Sequence, residues 1–258
     1  MKNLLTRTMT GVFLLLTLAV IILSNRLSLF LLVLVISSIG LFEFYFALKK
    51  NASTATVFFA QFVNLLIQWT AFRDFPGGML IIIGLSILVC FTIYTFDPRL
   101  MIDDLAISVL SIVYISMLFS FLLMFPQQNL LFIIFISGWG TDTFAYVTGM
   151  LIGKHPLAPS ISPKKTVEGS VGGTLGAVLL AVLVRPHIFS DITVGHVVIA
   201  VLVGSIMSQI GDLFASRLKR EVGVKDYGTI LLGHGGILDR FDSILFAAPA
   251  IWLVLTFL

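Results

Sequence analysis

An all-α fold of membrane-spanning helices is what this sequence predicts, and three observations predict it. Hydrophobic residues make up 58% of the chain and charged residues 11%, where a soluble domain is roughly 45–50% apolar. The apolar residues fall into runs of about 20, the length that crosses a bilayer as a helix. Helix breakers, in Pro76-Gly77-Gly78 and at Pro98 and Pro126, stand between the early runs rather than inside them.

The runs follow in order. The first, 8–24, comes after Lys2 and Arg7 and has the outline of a secretion signal. No small-x-small cleavage pattern follows and further runs come at once, so it reads as a retained span. The second, 27–48, follows after a tight turn at Arg26 and closes at Lys49-Lys50. The third, 55–73, ends at Arg73. The fourth, 78–95, lies between the Pro76 breaker and Pro98, and the fifth, 104–125, ends before Pro126. Runs 129–151, 169–185, 193–212 and 240–258 complete a set of nine spans in a polytopic integral membrane protein. Cys90 is the one cysteine and lies within an apolar run, so no intrachain disulfide forms. No internal repeat is visible, nor the pair of broken helices in matching halves that marks many transporters.

Basic residues orient the spans. With the N-terminus inside, cytoplasmic segments hold Lys2, Arg7, Lys49, Lys50, Arg99, Lys154, Lys164, Lys165, Arg217, Lys219, Arg220, Lys225 and Arg240. The opposite side holds only Arg26, Arg73 and Arg185, which makes 13 against 3 of the 16 cations and predicts N-in, C-out. Two polar loops, 152–168 and 213–239, then share the cytoplasmic face. Residues 1–125 read as a transmembrane scaffold, and 126–258 as the catalytic region that carries both loops.

The stretch Ser216–Asp242 holds five cations, four acids, one histidine and five glycines. A polar cluster at a membrane boundary is costly and marks function. Asp212 ends an apolar run, and Asp239 and Asp242 open the next, three residues apart and so on one helical face. Acids at a helix start also serve as caps. With Asp212 facing them, the three read as hard oxygen ligands for Mg²⁺, which binds through one or two carboxylates plus substrate phosphates. Lys164, Lys165, Arg217, Lys219, Arg220 and Lys225 exceed a plain attraction to anionic lipid, because Gly223, Gly228, Gly233, Gly235 and Gly236 between them offer backbone amides to anions. Cations, glycine amides and acids together are the parts of phosphoryl or nucleotidyl transfer. For His234, in Gly-His-Gly-Gly, phosphate contact and proton transfer stand beside a structural role. Asp142 falls mid-span and positions substrate, touches the metal shell or pairs with a buried cation. Glu43 is intramembrane near the end of its span and reads as structural. The small residues from Gly169 to Gly176 read as a packing face, with Lys164 and Lys165 as holders of a substrate phosphate.

These residues resemble the signature of bacterial phosphatidate cytidylyltransferases (CDP-diacylglycerol synthases). The resemblance rests on Ser216, Lys219-Arg220, Lys225-Asp226, Gly228, His234-Gly235-Gly236, Asp239-Arg240 and Asp242. A second block adds Asp142-Thr143, Ala145-Tyr146, Gly149, Gly153-Lys154, Pro159 and Ser162-Pro-Lys-Lys-Thr-Val-Glu-Gly169. Leu232 and Met150 depart from the pattern. The resemblance implies a polytopic homodimer in the bacterial inner membrane, with its active site facing the cytoplasm and no nucleic-acid partner. It would join CTP and phosphatidic acid to give CDP-diacylglycerol and pyrophosphate, an EC 2.7.7 reaction. The implied metal centre is Mg²⁺, with a second cation such as K⁺, on Asp212 and Asp239 with Asp242 close by. Lys219, Lys225 and Arg220 would hold the triphosphate, and Lys164, Lys165 and Ser162 the lipid headgroup. His234, Asp226, Gly235, Gly236, Arg240 and Asp142 would line the substrates.

Two rivals differ in class. A membrane enzyme that converts CDP-linked lipids would carry Asp-Gly, Ala-Arg and a widely spaced aspartate triad, which this chain lacks. An ion-coupled transporter would use Asp142 and Asp212 as ion sites, but here the charges gather at one face.

Overall fold

Apolar runs become helices because lipid leaves backbone amides no partner but their own chain. The computed structural model describes residues 25–48, 54–230 and 235–257. Among these, eight helices are long and apolar enough to cross a membrane. They are α1 (Arg26–Leu48), α2 (Thr54–Phe72), α3 (Pro76–Phe96), α4 (Ile102–Leu123), α5 (Gln128–Ile152), α6 (Val167–Ile188), α7 (Val194–Glu221) and α8 (Leu238–Phe257). The predicted span 8–24, and Lys2, Arg7, Lys49 and Lys50, lie outside the described residues. A short antiparallel hairpin, β1 (Pro156–Ala158) and β2 (Ser162–Thr166), fills most of the loop expected at 152–168.

One boundary differs substantially from the sequence reading. The span expected to end at 212 continues as α7 to Glu221. Hydropathy fades after Asp212, but Leu213–Glu221 is made of residues that tolerate a helix well. Lys219 and Arg220 in its last turn favour the negative end of the helix dipole. The stop is at Gly223, whose φ of +74° suits glycine. Its N–H donates to the Arg220 carbonyl and that of Val224 to the Lys219 carbonyl, the paired bonds of a Schellman closure. Asp212 therefore sits within a helix rather than at its end.

The chain forms two compact units. Of the described residues, the first takes those up to Met124 together with those between Asp226 and Asp239. Its helices are joined by a polar ladder inside the apolar packing. Asn64 donates to the Ser37 hydroxyl at 2.9 Å, and Gln68 donates to the Asn64 side-chain oxygen at 3.1 Å and to the Ser116 carbonyl at 2.9 Å. That last bond has a cause. Ser111–Met117 is a π-helical turn within α4, and such turns disturb the regular ladder of backbone bonds. Gln68 gives a carbonyl of that turn a donor where no water is at hand.

The second unit takes Phe125–Lys225 and Arg240 onward. Here α5, α6 and α7 pack closely through small residues, as the Gly169–Gly176 pattern predicts. A Cβ built on Gly173 would lie 2.7 Å from the Thr141 carbonyl oxygen, and one on Gly169 would lie 2.8 Å from that of Ala145. Backbone meets backbone at both places, so neither neighbour can give way. By contrast a Cβ on Gly84 in α3 meets nothing within 4 Å.

Replacement of Gly173 with Val is expected to destabilise the protein by about 1–3 kcal/mol, the usual cost of overpacking. Gly84→Ala should leave the thermal unfolding midpoint in detergent unchanged or raised. Equal midpoints for the two variants would contradict the close α5–α6 packing.

Candidate active site

The β-hairpin is built to present its lysines. Thr166 caps α6 by accepting the Gly169 N–H at 3.1 Å. Glu168, in the first turn of α6, accepts the amides of Lys154 at 3.0 Å and His155 at 3.2 Å, so the entry to the hairpin is tied to its exit. Ser162 opens β2, Lys164 points into solvent, and Lys165 turns inward.

Lys165 forms an ion pair with Asp212 of α7. Asp142 of α5 faces the Lys165 ammonium, the Arg240 guanidinium and the Ser243 hydroxyl. Neither cation is buried: Arg240 is exposed and Lys165 half-buried. Lys219, in the last turn of α7, is 8% exposed and lies 3.7 Å from an oxygen of Asp242 on α8. Burial presses the Lys165 ammonium below the ordinary lysine range, against the opposing pull of Asp142 and Asp242. Three acids and three cations thus share one part of the second unit. Trp139 fixes the start of α8 there by donating its indole N–H to the Arg240 carbonyl at 2.8 Å.

Serines and threonines continue this polar zone into the helices. Thr141 bonds Ser205 at 2.8 Å, Ser208 donates to the Ser137 carbonyl at 2.9 Å, and Gln209 donates to Thr174 at 3.0 Å. Ser137 and its neighbours form another π-helical turn, Ile136–Gly140, directly before Asp142. The sequence reading passed over these hydroxyls. The available signal was their recurrence at Ser205 and Ser208 on one face of α7, three residues apart.

The first unit holds a second set. Asp239 is 9% exposed, and its Oδ2 accepts the Tyr227 N–H at 2.8 Å and the Gly236 N–H at 2.9 Å. Gly235 has a φ of +81°, which lets the chain turn into α8. The Gly236 amide, read from the sequence as an anion donor, is thus directed to Asp239. Glu43 accepts the amides of Ile237 and Leu238, which agrees with a structural role and gives it a definite partner. Asp226 is exposed; of the second unit's remaining cations, Lys225 and Arg220 are exposed, and Arg217 pairs with Glu221 at 2.9 Å. His234 and Gly233 lie outside the described residues.

Among the described residues, no group of three or more His, Cys, Asp or Glu side chains is placed to hold a metal ion. Mg²⁺ asks for less, one or two carboxylates plus the phosphates of a nucleotide. Asp212 already receives the Lys165 ammonium, a cation standing where another cation can stand. The donor set fits a Mg²⁺ that arrives with a nucleotide, and not one caged by protein alone. A cavity of about 560 Å³ in the first unit, lined by Phe59, Cys90, Tyr94, Asp97, Arg99 and Leu105 among others, contains none of the predicted site residues. Its Asp97 and Arg99 pair with each other at 2.8 Å.

Residues 5–258 match a family described as the cytidylyltransferase family. A phosphatidate cytidylyltransferase from Staphylococcus haemolyticus is 32% identical over 255 residues, covering 96% of this chain and 98% of that protein. One from Bacillus subtilis is 32% identical over 263 residues, covering 96% of each. One from Staphylococcus saprophyticus is 40% identical over a shorter alignment of 171 residues, 66% of this chain and 65% of the relative.

The Lys165–Asp212 pair is partly buried, so a double-mutant cycle with Lys165→Met and Asp212→Asn should give a coupling of about 0.5–3 kcal/mol. Unfolding of the four proteins in detergent measures it. Strict additivity would mean that the two side chains do not interact.

Proposed function

The chain belongs to the cytidylyltransferase family, a family of nucleotidyltransferases, and from that premise we propose that it acts on CTP and phosphatidic acid. The products are CDP-diacylglycerol and pyrophosphate. The reaction takes place at the cytoplasmic face of a bacterial inner membrane, with the N-terminus inside and the C-terminus outside, in a homodimer.

One observation carries the reading beyond the relatives' names. A chain with 11% charged residues collects Asp142, Lys165, Asp212, Lys219, Arg240 and Asp242 in one neutralised cluster. Lipid-linked phosphates and a nucleotide are substrates that need such a cluster next to a bilayer. An oxygen of the lipid phosphate attacks the α-phosphorus of CTP. The bond from that phosphorus to the bridging oxygen breaks in line, and pyrophosphate leaves with the electron pair. Phosphatidate is already anionic, so no strong general base is required.

The chain's own residues bind and orient. Lys164 and Lys165, with Ser162, hold the lipid headgroup at the hairpin. Lys219, Arg220 and Lys225 hold the triphosphate. Asp226, His234, Gly235, Gly236, Arg240 and Asp142 line the substrates. Lys219 is buried and Lys165 half-buried, each against a carboxylate, which lowers the cost of turning them toward phosphate. Asp212, Asp239 and Asp242 are the carboxylates assigned to Mg²⁺, and a second cation such as K⁺ is compatible with them. When bound, Mg²⁺ supplies neutralisation of the charge that grows on the phosphoryl oxygens.

The test uses purified protein in detergent micelles with phosphatidic acid, labelled CTP and Mg²⁺, reading label extracted with lipid. Label should enter lipid, stop on chelation and return with added Mg²⁺. Asp239→Asn keeps an oxygen for the Tyr227 and Gly236 amides, so it should remain folded while losing about 100-fold or more, the scale for losing one charge-stabilising group. A folded wild type that leaves CTP untouched would reject the reaction, and a near-normal Asp239→Asn would reject the metal assignment.

A further inference from the structure

Glu43 is the acid with the least evident reason to be where it is. It lies near the end of α1, in Phe42-Glu43-Phe44, and is 5% exposed. An ionised group at that depth is costly unless it is fully engaged. It is engaged by backbone. Its Oε1 accepts the Ile237 N–H at 3.0 Å and its Oε2 the Leu238 N–H at 2.8 Å. These are orphan donors at the start of α8, and the dipole there favours a carboxylate.

A helix start is commonly capped by a residue next to it in sequence. This one is capped across 195 positions. The loop is shaped around the carboxylate: a Cβ on Gly228 would lie 2.3 Å from Glu43 Oε1, and one on Gly236 would lie 2.5 Å from it. Asp239 takes the two neighbouring amides, Tyr227 and Gly236. Glu43 and Asp239 therefore divide the amides of 227, 236, 237 and 238 between them and staple both ends of the loop. Tyr227 is 5% exposed and its ring lies 6.3 Å from that of Phe44, beside Glu43 on α1.

We propose that Glu43 is a positioning residue for cytidylyl transfer. It touches no substrate. It fixes the register of the glycine loop, and through it the aim of Asp226 and Asp239. The proposal rests on the reading that this loop serves CTP. It also explains the residue type: two oxygens receive two amides, which one amide side chain cannot do. In Glu43→Gln one N–H would face another.

The test compares Glu43→Gln and Gly228→Ala with wild type, full-length in detergent. The first removes an acceptor; the second keeps Glu43 and crowds it from the loop side. Both should lose about 10–100-fold in kcat/KM for CTP, the scale for losing support behind a metal-binding or catalytic group. The loss should lie in KM for CTP and in the Mg²⁺ concentration needed for half activity. KM for phosphatidic acid should stay within about twofold, even where crowding or an unpaired N–H lowers the thermal midpoint. Wild-type kinetics in both variants would overturn the proposal. So would an equal loss for both substrates that follows the thermal midpoint, which is what a purely structural cap predicts. A wild type that does not transfer label at all would instead remove the proposed function, and this inference with it.

Discussion

Five acids, Glu43, Asp142, Asp212, Asp239 and Asp242, are each met by a donor or a cation from their own unit, and the rest of the arrangement depends on this. Asp212 meets Lys165, Asp242 meets Lys219, and Asp142 faces Lys165, Arg240 and Ser243. Glu43 and Asp239 meet backbone amides. A buried charge left without a partner is strongly destabilising, and lipid offers no water to replace one. The hairpin, the long α7 and the glycine loop are the means by which these partners are delivered.

The two kinds of partner differ in what they permit. Amides belong to the chain's path, so Glu43 and Asp239 fix the loop's shape. Ammonium groups sit on long flexible stems and rotate freely among acceptors. Lys165 comes from a hairpin and Lys219 from the last turn of a helix, both near places where the chain changes direction. A phosphate or a divalent ion can therefore exchange with the lysines without unravelling the fold. Fixed carboxylates frame the proposed site and exchangeable cations open it.

Much of this was legible in the residues. Hydropathy located every described span to within a few positions, except at α7. There the helix outlasts its apolar run because Leu213–Glu221 needs propensity and a glycine stop, not lipid. The small-residue face of α6 was readable because close packing leaves a compositional trace. The hairpin was not: Ser162–Thr166 is too short and too basic to read as a strand, and its register depends on Glu168 reaching back to Lys154 and His155. Nor did the sequence reveal what Glu43 binds, since its partners are amides, which carry no residue identity. The pairings Lys165–Asp212 and Lys219–Asp242 were beyond spacing for a similar reason. They join segments far apart in sequence, and motif order names the members without saying which touch.

In the proposed reading the cluster supplies charge compensation: its acids are matched by cations, and the attacking group is the substrate's own phosphate oxygen. On that proposal, transfer is one displacement at the α-phosphorus. The most direct measurement uses CTP made chiral at that phosphorus by sulfur substitution, with the configuration of the CDP-diacylglycerol product determined after a single turnover. Inversion is the predicted result. Retention would mean two successive displacements through a covalent cytidylyl-enzyme, and would contradict this account.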